Sequence, residues 1–211
     1  MSELAKISVL VVDDHPLMRF GVSTMINAQS DMAVVAQAGD GREAIEQFRL
    51  HEPDVTLMDL RLPGMSGVEA IRAIREFNPH AHVAVLTTYE GDEDIHQALA
   101  AGARGYLLKG MSSETLVDAI RRVHAGLRSL PPPVARTLAS RTPNSEISPR
   151  EREVLSHVVH GKSNREIAAL LGITEATVKC HVSELLRRLE VADRTQAAVA
   201  ALQRGFVHIE H

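Results

Sequence analysis

The first 125 residues alternate between short apolar runs and longer segments whose apolar residues recur at helical spacing. The β-branched run ISVLVV at 7–12 is typical of a buried strand. Strand and helix alternate five times, which indicates a parallel sheet covered by helices on both faces. The predicted strands are 7–12, 32–36, 55–58, 83–86 and 105–108, and the predicted helices are 16–28, 41–50, 67–76, 92–101 and 113–125.

The pattern changes after residue 126. Pro131, Pro132 and Pro133 interrupt regular structure, and the stretch that follows is rich in Pro, Ser, Thr, Asn and Arg. These features predict a linker at 127–146, with a short helix at 134–139 inside it.

From residue 148 the apolar pattern is helical throughout, and cap residues divide it into four helices. Two of the predicted N-caps are serines followed three residues later by glutamate, which is the capping-box pattern. Glycine is favoured just past a helix end because it adopts the left-handed conformation. The predicted N-caps are Ser148, Ser163, Thr174 and Asp193, and the terminating glycines are Gly161, Gly172 and Gly205.

These patterns together predict two domains of different class. Residues 1–126 form an α/β domain with a five-stranded, doubly wound parallel sheet of flavodoxin-like type. Residues 147–211 form an all-α domain of four helices with a helix-turn-helix. A chain of 211 residues is long enough for two such cores.

The composition narrows the class of protein. Hydrophobic residues make up 45% and charged residues 24%, with no apolar run near the roughly 20 residues of a membrane span. The first residues have no basic leader before an apolar stretch, so we expect no export and a cytoplasmic location. The only cysteine, Cys180, excludes an intramolecular disulfide.

Charge is distributed unevenly. Residues 1–126 carry 11 basic against 18 acidic side chains, a net charge of −7, residues 127–145 carry +3, and residues 146–211 are neutral. Because duplex DNA is anionic, the C-terminal part is the better candidate for binding it.

Polar residues follow four of the five predicted strands. Asp13 and Asp14 end the first strand, Asp59 the third, Thr87 the fourth and Lys109 the fifth. Because the carboxyl ends of parallel strands share one edge of the sheet, these groups should meet there. Three carboxylates repel one another unless a cation lies between them, and Mg²⁺ suits such a site. The set predicts phosphoryl transfer onto a carboxylate.

Each of these residues also has an ordinary explanation. An Asp-Asp pair after a strand often only caps a helix, and a lone lysine is often solvated. His15 beside the pair is interpreted as a loop residue. Their joint position at the ends of one predicted sheet favours the functional interpretation.

Four stretches resemble the receiver domain of two-component response regulators. They are VLVVDDHPLMR, DVTLMDLRLPGMSGVEAI, VAVLTTYE and AGARGYLLKG. The resemblance implies that Asp59 accepts a phosphoryl group from a sensor histidine kinase. It also implies that Asp14 binds Mg²⁺ directly, that Asp13 does so largely through water, and that the carbonyl of Arg61 joins Asp59 in completing the ligands.

The same resemblance implies a switch. Thr87 is the hydroxyl that moves towards the phosphoryl group, Tyr106 is the aromatic switch residue, and Lys109 contacts the phosphate. Gly110 and Met111 follow the lysine where related sequences often carry an acidic residue.

Helices at 163–171 and 174–190, joined by a short turn, predict a helix-turn-helix whose second helix enters the major groove. Val178, Val182, Leu185, Leu186 and Leu189 form one inner stripe on that helix. The residues off the stripe that are expected to face DNA are Thr177, Lys179, Cys180, Ser183, Arg187 and Arg188.

The stretches ISPREREVL and GKSNREIAALLGITEATVKCHVSELLRRLEVADRTQAA closely resemble the LuxR-type DNA-binding domain. With a receiver in front, the chain resembles a NarL/FixJ-family response regulator. The resemblance implies that Lys179, Cys180 and Ser183 reach into the groove, and that Thr177, Arg187 and Arg188 contact phosphates. Cys180 replaces a more usual valine, and either contacts a thymine methyl or acts as a redox-sensitive thiol.

The last predicted helix carries small residues that permit close approach of a second helix. These are Ala197, Ala198 and Ala201, followed by Leu202. The family resemblance implies that this helix forms a homodimer on double-stranded DNA, with phosphorylation promoting dimerisation. RNA polymerase is a candidate partner in transcription.

Two other classes of function stay open. A phosphoester hydrolase could also use an aspartyl-phosphate, but would need an additional acid–base carboxylate, and Arg61 stands where a common version places one. A protein-interaction module could use the helical domain to bind a protein, in which case duplex DNA would not bind. We therefore expect a regulator and not an enzyme.

Overall fold

The computed structural model describes residues 6–88, 91–139 and 147–208. They divide into two compact units. The sheet unit contains residues 6–88 and 95–136, and the helical unit contains 91–94, 137–139 and 147–208. The division after Arg136 falls inside the predicted linker 127–146, of which 140–146 lie outside the described residues, as do the ends of the predicted domains at 1–5 and 209–211.

The sheet unit has five parallel strands in the order β2-β1-β3-β4-β5, which confirms the predicted sheet. The second and fourth strands are longer than predicted. The polar residues Gln37 and Thr87 end the apolar runs, but Gln37 still pairs with Val11 and Thr87 with Leu108. The strands are β1 Ile7–Val12, β2 Met32–Ala38, β3 Val55–Met58, β4 Val83–Thr87 and β5 Gly105–Leu108.

Five helices connect and follow these strands, and several begin at side-chain caps. Asp40 accepts hydrogen bonds from the first-turn amides of the second helix, and Ser66 forms a capping box with Glu69 at the start of the third. The helices are α1 Pro16–Asn27, α2 Gly41–His51, α3 Gly67–Phe77, α4 Asp92–Ala100 and α5 Ser113–His124.

Both faces of the sheet are buried. Val9 and Val11 of β1 lie in one apolar cluster with residues of α1 and α5, including Ile26 and Ile120. Because successive side chains of a strand point to opposite faces, Leu10 faces the other side, where it is also fully buried. This is the arrangement of a doubly wound fold.

The segment after α5 runs along the edge strand of the sheet. Ser129 forms an isolated bridge with Gly105, and its carbonyl accepts a hydrogen bond of 3.0 Å from the amide of Tyr106. This pairing covers part of an otherwise open edge. A helix, α6 Pro132–Ala139, follows and confirms the short helix predicted at 134–139.

The helical unit contains four helices whose starts confirm the predicted caps. Ser148 and Ser163 each form a capping box, and Thr174 and Asp193 accept hydrogen bonds from first-turn amides. Gly172 adopts the left-handed conformation after the second of these helices. The four are α7 Pro149–Val159, α8 Asn164–Leu171, α9 Glu175–Leu189 and α10 Arg194–Gln203.

One core holds the four helices together. Val154, Ile167, Val178, Leu185 and Ala201 all lie within it. In the described part of the chain, no helix combines the length and apolarity needed to cross a membrane.

The N-terminus of α3 lies directly against the backbone that follows β3. The amide of Gly67 donates a 3.0 Å hydrogen bond to the carbonyl of Leu60, and a Cβ added at Gly67 would lie 1.9 Å from the carbonyl oxygen of Asp59. Both neighbours are backbone and cannot rotate away. Glycine therefore allows α3 to support Asp59 at this distance.

We expect Gly67→Ala to lower the free energy of unfolding of the sheet unit by about 2 kcal/mol, because the new methyl group must displace the backbone at Asp59. Gly21→Ala is the matched control, since a Cβ there meets nothing within 4 Å and alanine favours a helix interior. Chemical denaturation of the two variants measures the difference. An equal stability of the two would contradict this account of Gly67.

Candidate functional site

The sheet topology brings together residues that are far apart in the sequence. At its carboxyl edge, the amide of Asp59 donates to the carbonyl of Val12 at 3.0 Å, and the amide of Lys109 donates to that of Thr87 at 2.7 Å. Asp13 follows Val12 directly. Asp13, Asp59, Thr87 and Lys109 therefore lie at one edge, as the strand ends predicted.

A single ammonium group joins the two buried carboxylates. Lys109 Nζ lies 2.7 Å from Asp13 Oδ2 and 2.6 Å from Asp59 Oδ2. All three side chains are buried, with that of Lys109 only 7% exposed. One positive charge against two negative charges leaves a net negative charge at a site with little access to water.

The carboxylates also control the charge of the lysine. Burial by itself lowers the pKa of Lys109, but hydrogen bonds to Asp13 and Asp59 and the charges of both carboxylates outweigh it, so that the pKa lies above its ordinary value. Lys109 is therefore a permanent cation at physiological pH.

The rim of the site is accessible to solvent. Asp14 is exposed and lies next to His15, whose Nδ1 is 2.6 Å from Asp14 Oδ1. His15 precedes α1 as its N-cap residue without a side-chain cap bond, and the aspartates do not cap the helix as the ordinary explanation required. The sequence predicted His15 as a loop residue beside the acidic pocket, and the structure adds its direct contact with Asp14.

The donor set fits a hard divalent cation. Asp13, Asp14, His15 and Asp59 each offer one ligand atom, and these atoms lie within 4.8 Å of one another. The carbonyl of Arg61 is the further predicted ligand. The backbone of Arg61 lies beside the cluster, because its amide donates a hydrogen bond of 3.3 Å to Asp59 Oδ1. Carboxylate and carbonyl oxygens are the ligands that Mg²⁺ prefers.

The two predicted switch residues lie inside the sheet. Thr87 is fully buried, and its hydroxyl has no hydrogen-bond partner among the residues that the structure describes. A buried hydroxyl without a partner raises the free energy of the folded state. A ligand that brings a hydrogen-bond acceptor to this edge would therefore be stabilised by a bond from Thr87. Tyr106 on the neighbouring strand is also fully buried and pairs with Val85.

The helical unit presents a second candidate site on α9. The turn of residues 172–174 joins α8 to α9, which makes the predicted helix-turn-helix. Val178, Leu185 and Leu189 face the core, whereas Val182 and Leu186 are partly buried against it. The predicted DNA-facing residues that are exposed are Thr177, Lys179, Cys180, Ser183 and Arg187, and Arg188 is half-buried.

The two arginines of this face are paired within the protein. Arg187 makes two hydrogen bonds to Glu184, of 2.9 Å from Nε and 2.6 Å from Nη2. Arg188 Nε donates to Glu184 at 2.8 Å and lies 3.4 Å from the buried Glu151. The sequence predicted Glu151 only as the capping-box partner of Ser148 and did not single out Glu184, although its i,i+3 and i,i+4 spacing to the arginines is a signal for such pairs.

The last helix agrees only in part with the sequence expectation, because Leu202 is exposed but two of the three alanines are buried. Ala197 and Ala201 are buried in the core of the helical unit, so they do not form an open surface for a second helix. The large apolar residues that α10 exposes are Val199 and Leu202. Small side chains are needed there because α10 packs closely against its own neighbours, α7 and α9.

Family models match both units. The response regulator receiver domain matches residues 9–121, and the luxR family of bacterial regulatory proteins matches residues 145–201. The transcriptional regulatory protein LnrK of Bacillus subtilis is 38% identical over 94% of this chain and 98% of its own length. The response regulator protein VraR of Staphylococcus aureus is 39% identical over 95% of this chain and 99% of its own length.

Solved structures are also similar. The response regulator ChrA of a heme-sensing two-component system is 38% identical, with a TM-score of 0.58 over 97% of this chain and 100% of that one. The response regulator RcsB in a complex with DNA is 24% identical, with a TM-score of 0.70 over 94% and 98% of the two chains. The likeness to RcsB is one of fold.

We expect Lys109→Met to lower the free energy of unfolding by about 3–5 kcal/mol without divalent cations, because it leaves two buried carboxylates uncompensated. Mg²⁺ should then raise the melting temperature more in this variant than in the wild type, since no ammonium competes for the same oxygens. Lys179→Met is the control, because it removes an exposed lysine. Equal Mg²⁺-induced shifts in all three proteins would contradict the bridging role.

Proposed function

Because this chain belongs to the two-component response regulators that join a receiver domain to a LuxR-type DNA-binding domain, we propose that phosphorylation of Asp59 controls its binding to duplex DNA. The family resemblance found in the sequence is confirmed, as is the fold. The family is one of transcriptional regulators, and not of phosphoester hydrolases. The observation that carries the proposal is the convergence of Asp13, Asp59, Thr87 and Lys109 at one sheet edge.

Asp59 is the proposed phosphoryl acceptor. A carboxylate oxygen of Asp59 attacks the phosphorus, and the bond from phosphorus to a histidine nitrogen of a sensor kinase breaks, with the nitrogen keeping the electron pair. Asp59 sits at the end of β3, between the two strands that carry Asp13 and Thr87. This central position favours Asp59 over Asp13 and Asp14 as the phosphoryl acceptor.

Asp13, Asp14, Asp59 and the carbonyl of Arg61 are the proposed holders of Mg²⁺. When bound, Mg²⁺ neutralises negative charge on the phosphoryl oxygens. Lys109 pairs with one phosphoryl oxygen through Nζ, which already lies 2.6 Å from the acceptor carboxylate.

Thr87 and Tyr106 are the proposed switch. A phosphoryl oxygen at Asp59 gives the unpartnered hydroxyl of Thr87 an acceptor, so Thr87 moves towards it and Tyr106 repositions. A few kcal/mol of differential stabilisation is enough to shift such an equilibrium. We propose that this shift favours a dimer.

The exposed polar face of α9 is the proposed DNA-reading surface. Lys179, Cys180 and Ser183 lie in its N-terminal two-thirds, where a recognition helix contacts base edges. Thr177, Arg187 and Arg188 are the proposed phosphate contacts. We interpret Cys180 as a small apolar contact. A dimer through the exposed Val199 and Leu202 of α10 would present two such helices to a two-fold site. DNA binding implies a cytoplasmic location, with RNA polymerase as a candidate partner.

The test is selection of genomic duplex fragments by the full chain, with and without Mg²⁺ and beryllofluoride. We expect selective enrichment that rises with the phosphoryl mimic in the wild type but not in Asp59→Asn. Lys179→Ala should lose about tenfold in affinity for the enriched fragments, whereas Lys162→Ala, an exposed lysine outside α9, should lose less.

Two results would count against the proposal. If enrichment is the same with and without beryllofluoride, the acidic site does not control DNA binding. Binding to no duplex at all, with retention of a protein partner, would favour an interaction module instead.

A further inference from the structure

We propose that Glu184 restrains the sequence-independent binding of duplex DNA by holding Arg187 against the recognition helix. This inference rests on the proposed function, because it assigns a specificity-determining role to a residue beside the proposed DNA-reading surface. It concerns a carboxylate for which neither the sequence motifs nor the phosphorylation switch has a use.

The contact between Glu184 and Arg187 uses both oxygens of the carboxylate. Arg187 Nε reaches Oε2 at 2.9 Å and Nη2 reaches Oε1 at 2.6 Å, so the planar guanidinium is engaged along one edge. This bidentate geometry is the same one by which arginine recognises a phosphate. A DNA phosphate must therefore compete with a carboxylate that already satisfies the group.

Arg188 strengthens the arrangement from the other side. Its Nε lies 2.8 Å from Glu184 Oε1 and 3.4 Å from Glu151 Oε1, and its side chain is only 29% exposed against 63% for Arg187. Arg188 is thus held between two carboxylates as part of the fold. Arg187 is the arginine of the pair that stands at the surface.

Glu184 is ionised wherever DNA binding would occur. Hydrogen bonds from Arg187 and then from Arg188 lower its pKa to about 2. Its negative charge therefore offsets one of the two arginine charges and adds a like charge opposite the DNA backbone.

The position of Arg187 along the helix determines which part of binding Glu184 affects. Arg187 lies thirteen residues after the N-cap Thr174, about 20 Å along the helix axis. Base edges are contacted by the N-terminal part of a recognition helix, whereas the far end meets phosphates. Glu184 therefore acts on the phosphate contribution, which carries no sequence information, and its restraint raises the ratio of specific to non-specific affinity.

The test compares Glu184→Gln with Glu153→Gln in the full chain. Glu153 is the matched control, because it forms an exposed i,i+3 pair of 2.5 Å with Arg150 on α7 and its loss changes net charge by the same amount. Affinity for a random-sequence duplex and for a duplex selected by the wild type is measured across salt concentrations, together with the melting temperature of each variant.

We expect Glu184→Gln to bind the random duplex about fivefold to tenfold more tightly at low salt. The plot of log affinity against log salt should be steeper by about 0.9, the value of one further phosphate contact. The gain on the selected duplex should be smaller, so specificity falls. Glu184→Asp should stay nearer the wild type.

A second variant checks that the gain comes from the released arginine. Arg187→Gln alone should weaken random-duplex binding, because it removes a proposed phosphate contact, and it should cancel the gain when combined with Glu184→Gln. A double variant that keeps the full gain would overturn the inference.

Other outcomes are equally decisive. Weaker binding by Glu184→Gln would mean that Glu184 orients the arginines for phosphates, and an equal gain in Glu153→Gln would reduce the effect to net charge. Either result overturns the restraint while leaving DNA binding intact. A wild type that binds no duplex overturns the proposed function itself.

Discussion

The electrostatic conflict among carboxylates at the edge of the parallel sheet is the constraint on which the rest of the site depends. Asp13 and Asp59 are both buried, and Lys109 alone among the described cations joins them, at 2.7 and 2.6 Å. One ammonium cannot neutralise two carboxylates, and Asp14 adds a third at the rim. The net negative charge that results favours a divalent cation, which the proposed phosphoryl transfer requires.

The fold supplies the geometry through a few backbone contacts. Parallel pairing aligns the ends of β1, β3, β4 and β5, so that residues nearly a hundred positions apart meet without any local sequence relation. Gly67 allows α3 to approach the backbone carbonyl of Asp59 closely, so the helix supports the backbone of the proposed acceptor. The hydroxyl of Thr87, which has no partner among the described residues, supplies the donor on which the proposed switch depends.

Sequence patterns predicted much of this because their physical causes are local. Apolar β-branched runs identified the strands, and cap residues such as Ser148, Ser163 and Thr174 fixed where the helices begin. The location of the acidic site followed because the carboxyl ends of parallel strands share one edge of the sheet. That inference requires only the order of the strands along the chain and their parallel direction.

What the sequence did not predict depends on tertiary packing. Ala197 and Ala201 suit either a dimer surface or a tight internal helix contact, and only the position of α7 decides for the second. The predicted linker begins with residues that pair along β5, because Ser129 completes a backbone bond that no side-chain pattern reports. The spacing of Glu184 from Arg187 and Arg188 permits both ion pairs, but spacing alone does not determine which conformation these long charged side chains adopt.

The most direct measurement maps the phosphoryl group itself. The full chain is incubated with Mg²⁺ and acetyl phosphate, and the modified residue is located by peptide mass spectrometry in the wild type, Asp59→Asn and Asp54→Asn. Asp54 lies just before the opposite end of the same strand, where it is hydrogen-bonded to Ser8. We expect one phosphoryl group on Asp59, absent from Asp59→Asn and retained in Asp54→Asn. Phosphorylation of Asp59→Asn to the wild-type level, or of no protein, would contradict it.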